Sequence, residues 1–247
     1  MGSAHHLFAV LIELVGRARP TTAIFPLPYR SDRCKLHWSS YSRVSALTWG
    51  VDVIAGLILA AGQGKRLGAV KPLLANDHAV LLELVVRQYR KAKLDELIVV
   101  LGHEARQIVQ RIPLNGIKII INNEHRVGLS SSIQRGLAHV SSRFDAVMIG
   151  LGDMPLITSK TIDTLIAEYQ KGKKGIVVPV HDGRRGHPVV LDMKYLEALV
   201  TLRGDVGAKS VIDSHADDVR EVKIDSDEIL IDVDTREAWE KVRSRLS

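Results

Sequence analysis

Cysteine is almost missing from this 247-residue chain; the single one, Cys34, lies near the amino end. One thiol makes neither an intramolecular disulfide nor a multi-thiolate metal site, which excludes a stapled secreted scaffold and fits a cytoplasmic setting. Aromatics are scarce too, at 4% of residues, and six of them (Phe8, Phe25, Tyr29, Trp38, Tyr41, Trp49) crowd into the first 50 positions. No apolar run approaches the ~20 residues that span a bilayer, so no membrane partner is expected. The stretch from Leu7 to Val15 has the length of a signal-peptide core, but Glu13 interrupts it and no small-residue cleavage site follows, which argues against export. The formal charge of +6 is thinner than it looks. Six cations against Glu13 and Asp32 give residues 1–50 a net +4, which leaves +2 for residues 51–247. With no long basic run in the main part, nucleic-acid binding is not expected.

An apolar content of 46% is enough for a sizeable core. Composition changes near residue 50. Residues 1–50 hold three of the eight prolines and show no sustained period beyond a short helical stretch at His6–Gly16. They read as a basic, aromatic extension, poorly ordered or non-native, ahead of a single catalytic domain at 51–247. From Val53 the pattern becomes regular. Strands are expected at Val53–Ala61, Glu96–Leu101, Lys118–Asn122, Ala146–Gly150, Ile176–Val180, Pro188–Leu191, Val219–Ile224 and Ile229–Val233. Helices are expected at Leu81–Ala92, Glu104–Ile112, Ser131–Val140, Ser159–Gln170 (capped by Thr158 or Ser159), Tyr195–Leu202, Ala208–Ser214 and Thr235–Leu246. Strands alternating with helices imply an α/β fold, Rossmann-like, with a largely parallel sheet covered on both faces and ligands at the carboxyl ends of its strands.

The first strand runs into Leu59-Ala60-Ala61-Gly62-Gln63-Gly64-Lys65-Arg66-Leu67-Gly68. Small residues there let backbone N–H groups approach a phosphate chain. The dinucleotide fingerprint fails, because the sixth position counted from Gly62 is Leu67. The P-loop fails as well, since neither glycine is followed at the required spacing by Gly-Lys-Ser/Thr. What remains is Gly-x-Gly-x-Arg-x-Gly with Lys71 three residues beyond, and Arg66 and Lys71 supply the two cations that departing diphosphate requires.

Leu59–Lys71 resembles the signature of the MobA-like nucleotidyltransferases, in its molybdenum cofactor cytidylyltransferase branch. Relatives that use GTP tend to read Leu-Ala-Gly-Gly where this chain has Leu-Ala-Ala-Gly. The resemblance continues through Asn122–Gly136, Gly152–Pro155, Arg185–Pro188, Gly204–Lys209 and Asp232–Thr235, covering about residues 53–247. It implies a GT-A-type fold and a cytidylyl transfer from CTP to molybdenum–molybdopterin, with the product passing to a recipient molybdoenzyme or its chaperone. It also implies nucleotide binding by Leu59, Ala60, Ala61, Gly62, Gly64, Arg66, Lys71 and Asn122, with Arg66, Lys71 and Asp153 catalytic.

Asp153 follows the apolar strand Ala146–Gly150, on the ligand side of the sheet, where a carboxylate can hold Mg²⁺ against triphosphate oxygens. Asp232 and Asp234 alternate onto one face of the expected last strand and repel each other unless a cation intervenes. Asp232 is assigned as second metal ligand and Asp234 as cap of the final helix. On the acceptor side the resemblance points to Arg185 and His187 in the loop His181–Pro188, and to Ser130 and Ser132, whose stretch is also placed to cap the following helix. GTP in place of CTP, a sugar phosphate as acceptor, and a non-catalytic cofactor chaperone are the alternatives. A dehydrogenase is excluded by the glycine spacing and by the lack of an acidic residue at the end of the second strand.

Overall fold

Seven consecutive buried residues, Ile54–Ala60, form the first strand, β1, so both of its faces are covered. The structure, a computed structural model, describes residues 52–62, 64, 70–76 and 79–246. The extension at 1–50, its short helical stretch and Arg66 lie outside the described residues. After β1 come α1 (Leu81–Lys91), β2 (Glu96–Leu101), α2 (Ala105–Arg111), β3 (Lys118–Ile121), α3 (Leu129–Leu137), β4 (Ala146–Leu151) and α4 (Ser159–Gln170). The chain continues through β5 (Ile176–His181), β6 (Arg184–Arg185), β7 (Val189–Asp192), α5 (Leu196–Val200), α6 (Lys209–Ser214), β8 (Val219–Lys223) and α7 (Arg236–Arg245).

The strands form one sheet in the order β3-β2-β1-β4-β7-β5-β6, with β8 on β5. The pairs β1/β2, β1/β4, β2/β3 and β5/β8 are parallel. β7 runs antiparallel to both β4 and β5, because the short connection from β5 leaves no room for a helical crossover. Alternation along β1 splits the core: Ile54, Ile58 and Ala60 join one apolar cluster, Leu57 and Leu59 the other. Helix α1 puts Leu82, Val85, Val86 and Tyr89 into the first as a helical stripe. Thr158 caps α4, its hydroxyl accepting from Thr161 N–H at 3.3 Å. No helix among the described residues is long and apolar enough to cross a membrane.

Two expectations change. Ile229–Val233 is not a strand. Asp227–Leu230 forms a 3-10 turn whose start is capped by Ser226, and the residues after it carry no ladder. The reason is Glu228, which turns inward and accepts hydrogen bonds from the Thr158 and Thr161 hydroxyls, a local tie that competes with sheet pairing. The segment is held by irregular bonds instead: Val233 N–H donates to Asp153 O at 3.0 Å, and His187 N–H to Ile229 O at 3.0 Å.

Helix α3 begins at Leu129, earlier than expected, and the serines do not cap it. Its first N–H groups are taken by residues far along the chain: Leu129 donates to the Asp205 carboxylate at 3.2 Å and Ser130 to Gly204 O at 3.2 Å. That contact requires glycine at 128, where φ is +122° and an added Cβ would stand 2.4 Å from the Gly204 carbonyl. Gly128→Ala is expected to destabilise the fold by about 1–3 kcal/mol in urea unfolding. An unchanged midpoint would show that the 128/204 contact yields freely.

Candidate active site

The carboxyl ends of β1 and β4 meet without side chains between them. A Cβ at Gly152 would lie 2.6 Å from the Ala60 Cβ, so only glycine lets the end of β4 draw this close to the turn after β1. Asp153, the next residue, therefore stands beside Leu59, Ala60, Gly62 and Gly64 on the wall of a cavity of about 830 Å³. Lys71 enters from the other side, on a 3-10 turn (Lys71–Leu73) with Pro72 buried behind it.

The Lys71 ammonium lies 2.6 Å from Asp153 Oδ2 and 2.6 Å from Asp234 Oδ1, and its side chain is only 11% exposed. Asp153, Asp232 and Asp234 each offer an oxygen within 4.8 Å of the others. Three carboxylates around one ammonium leave two negative charges at the site. The second oxygen of Asp153, Oδ1, is buried and has no hydrogen-bond partner among the described residues. An orphaned carboxylate oxygen amid uncompensated charge fits a divalent cation with oxygen ligands.

The protonation tendencies follow. Burial pulls the Lys71 pKa down, but Asp153 and Asp234 outweigh it and the net shift is upward, keeping the ammonium charged. Partial burial raises the Asp232 carboxyl, and the charges of Asp153 and Asp234 raise it further. Burial holds His187 below the ordinary imidazole range against the opposing pull of Asp153, the Ile149 backbone and Asp232. His187 is thus neutral at pH 7, and its Nδ1 is buried without a partner among the described residues.

The other expected site residues are placed differently. Asp234 does not cap α7. Thr235 does, its hydroxyl accepting from Ala238 N–H at 3.2 Å, while the Asp234 carboxylate faces Lys71. Asn122 is buried and acts as a bracket, its amide donating to the Ser131 and Ser132 hydroxyls at 2.9 and 3.0 Å and its Oδ1 accepting from Glu124 N–H at 2.9 Å. Ser130 is buried too and donates to Gly204 O at 2.7 Å. The serine hydroxyls are therefore engaged inward. Arg185 lies exposed on β6, paired with Glu221 at 2.8 Å and Asp213 at 3.4 Å, and is not among the residues lining the cavity. Sequence reasoning did not single out His125, Arg126 and Val127, which do line it, and Asp205, within the Gly204–Lys209 stretch that the resemblance covers, lines it too. The available signal was the bracket itself, since an asparagine that ties down two serines fixes the turn between them.

The sequence profile of the MobA-like NTP transferase domain matches residues 56–219. Nicotine blue oxidoreductase of Paenarthrobacter nicotinovorans is 30% identical over 163 residues, which cover 63% of this chain and 79% of that one. Molybdenum cofactor cytidylyltransferase of Escherichia coli K12 is 24% identical over 196 residues, covering 79% of this chain and 98% of that one. The crystal structure of Rv0371C in complex with manganese, from Mycobacterium tuberculosis H37Rv, is similar with a TM-score of 0.69 at 26% identity, covering 78% of this chain and 98% of that one.

The raised Asp232 carboxyl has a consequence for stability. Stability contributed by its protonated form is present at low pH and lost as pH rises through the raised folded value. Asp232→Asn is therefore expected to raise the melting temperature of the metal-free protein at pH 7, and by progressively less as pH falls into the carboxylate range. Because Asp232 is exposed, solvent screening limits the gain to about 1 kcal/mol or less. A lowered melting temperature at pH 7 would show that Asp232 is attracted to its neighbours rather than repelled.

Proposed function

The chain belongs to the MobA-like NTP transferase family and is a nucleotidyltransferase, and from that premise we propose that it transfers the cytidylyl group of CTP to molybdenum–molybdopterin. The observation that carries this reading is the constellation of Lys71 with Asp153, Asp232 and Asp234 beside the glycine turn. In this reading the terminal phosphate of the acceptor attacks the α-phosphorus of CTP. A new phosphorus–oxygen bond forms, the α–β bridging bond breaks, and diphosphate leaves with the electron pair. No general base is needed, because a phosphate monoester with a second pKa of about 6 is already ionised at pH 7. Catalysis then rests on positioning and charge.

The backbone at Ala60–Gly64 receives the triphosphate, and Lys71 offsets its charge. Asp153 and Asp232, joined by Asp234, are the residues that would hold Mg²⁺, whose contribution when bound is to neutralise phosphate oxygens. Neutral His187 bounds the carboxylate cluster as a hydrogen-bonding group rather than a cation. The choice of CTP is supported by Leu59-Ala60-Ala61-Gly62 and by the likeness to the cytidylyltransferase. The activity is assigned to residues 51–247, in a cytoplasmic setting.

The test is Mg²⁺-dependent diphosphate release from each of the four nucleoside triphosphates, with and without molybdenum–molybdopterin. Release with CTP that requires the cofactor is the expected result. Release with GTP instead would overturn the base assignment, and release only with a sugar phosphate would overturn the acceptor. No release in any combination would favour a cofactor chaperone. In the productive combination, Lys71→Ala is expected to lower turnover by about 10²-fold or more without unfolding the chain, the scale of removing one preorganised charged group. Unchanged turnover would remove Lys71 from the mechanism.

A further inference from the structure

A lysine expected to meet a triphosphate is instead bound to the carboxylates expected to meet a metal. Lys71 Nζ sits 2.6 Å from Asp153 and 2.6 Å from Asp234, at full ion-pair distance from both, with its stem almost wholly buried. A divalent cation bound to the same two oxygens would have to stand where the ammonium now stands. The two cations repel, and in a half-buried site that repulsion is poorly screened. Asp153 Oδ2 and Asp234 Oδ1 therefore cannot serve both at once.

We propose that the Lys71 ammonium is a resident occupant of the divalent-cation site, bound by Asp153 and Asp234, and that it is exchanged for the metal when substrate arrives. This rests on the nucleotidyltransferase reading above. It adds Asp234 as a metal ligand beyond Asp153 and Asp232, and it gives the lysine two stations.

Three observations carry it. The ammonium is already held by carboxylates, so the site tolerates a cation at that point without rearranging the ends of β1 and β4. One ammonium is also insufficient: Asp153 Oδ1 stays buried and unpartnered, and the third carboxylate, Asp232, adds charge that a single cation does not cancel. A divalent ion in the ammonium's place brings one more positive charge and takes several oxygen ligands, so it reduces both deficits. Finally, Lys71 shares its cavity with Gly62 and Gly64, so an ammonium on a flexible four-carbon stem that gives up the carboxylates has phosphate oxygens within its reach once a nucleotide is bound.

Exchange makes metal and nucleotide mutually dependent. Metal alone must compete with a tethered ammonium at high local concentration, whereas metal arriving with a triphosphate meets a lysine that has somewhere else to go. The protein thereby disfavours loading with free metal and favours the metal–nucleotide pair.

The experiment measures Mn²⁺ affinity by electron paramagnetic resonance, without nucleotide, for the wild-type chain, Lys71→Met, Lys71→Gln and Asp153→Asn. In parallel, acetic anhydride labelling of Lys71 in the wild-type chain is followed by mass spectrometry as Mn²⁺ is added. The expected result is Mn²⁺ binding about tenfold or more tighter in both Lys71 variants, within the range usual for coupled ligands. Labelling of Lys71 is expected to rise in step with Mn²⁺ occupancy. Affinity no higher in the variants than in the wild type would overturn the exchange, as would labelling that stays flat at Mn²⁺ saturation. The labelling arm uses only the wild-type chain, so a variant that fails to fold does not spare the proposal. If Asp153→Asn binds Mn²⁺ as well as the wild type does, the carboxylate cluster is not the metal site, and the underlying functional reading falls with the exchange.

Discussion

Burying an ammonium is costly unless it is paired, and clustering three carboxylates is costly unless something positive stands among them. The pairing of Lys71 with Asp153 and Asp234 answers both demands together. It also joins segments 82 and 163 residues apart in sequence, so the bond that organises the electrostatics is a tertiary closure as well. The backbone bond from Val233 N–H to Asp153 O runs alongside it. Behind that, Val233 packs with Leu81, Leu156, Trp239 and Val242 in a small apolar cluster that docks α7 on the start of α1. The carboxyl-terminal helix thus anchors the segment that brings Asp232 and Asp234 to Asp153 at the carboxyl end of β4, although no residue of that helix lines the cavity.

What was legible in the sequence was mostly local. The apolar run of β1, the stripe of α1 and the Thr158 cap each depend on residues within a few positions of one another, and each stands where its pattern placed it. Gly62, Gly64, Lys71 and Asp153, picked out from strand ends and glycine spacing, line one cavity, because those are short-range signals. Ile229–Val233 was misread because a short apolar run describes a strand and an irregular covered segment equally well. The deciding facts were the partners of Glu228, Thr158 and Thr161, some 70 residues away. Asp234 was misassigned because a helix cap and a lysine partner use the same carboxylate, and adjacent Thr235 was equally able to cap. The positions of His125, Arg126 and Asp205 on the cavity wall depend on chain crossings that no local pattern encodes.

The loop His181–Pro188 illustrates how charge in sequence differs from charge in space. Its arginines suggest an anion-binding arm, yet Arg185 is paired with Glu221 and Asp213, and the half-buried His187 has its pKa lowered by desolvation. The cavity wall draws its positive charge from elsewhere: Lys71 and, on the turn before α3, Arg126 are the lysine and arginine among the described residues that line it.

The contact of Gly128 with Gly204, together with the Asp205 carboxylate on Leu129 N–H, makes two loops 76 residues apart into one rigid piece. For anyone recombining parts of such enzymes, that piece is the unit of exchange. A chimera that imports the 122–132 loop alone inherits a helix whose first amides have lost their acceptors, while one that imports only residues 203–207 presents a carboxylate with nothing to bind. Altering selectivity by grafting therefore calls for both segments from the same parent, and crossover points are best set outside them.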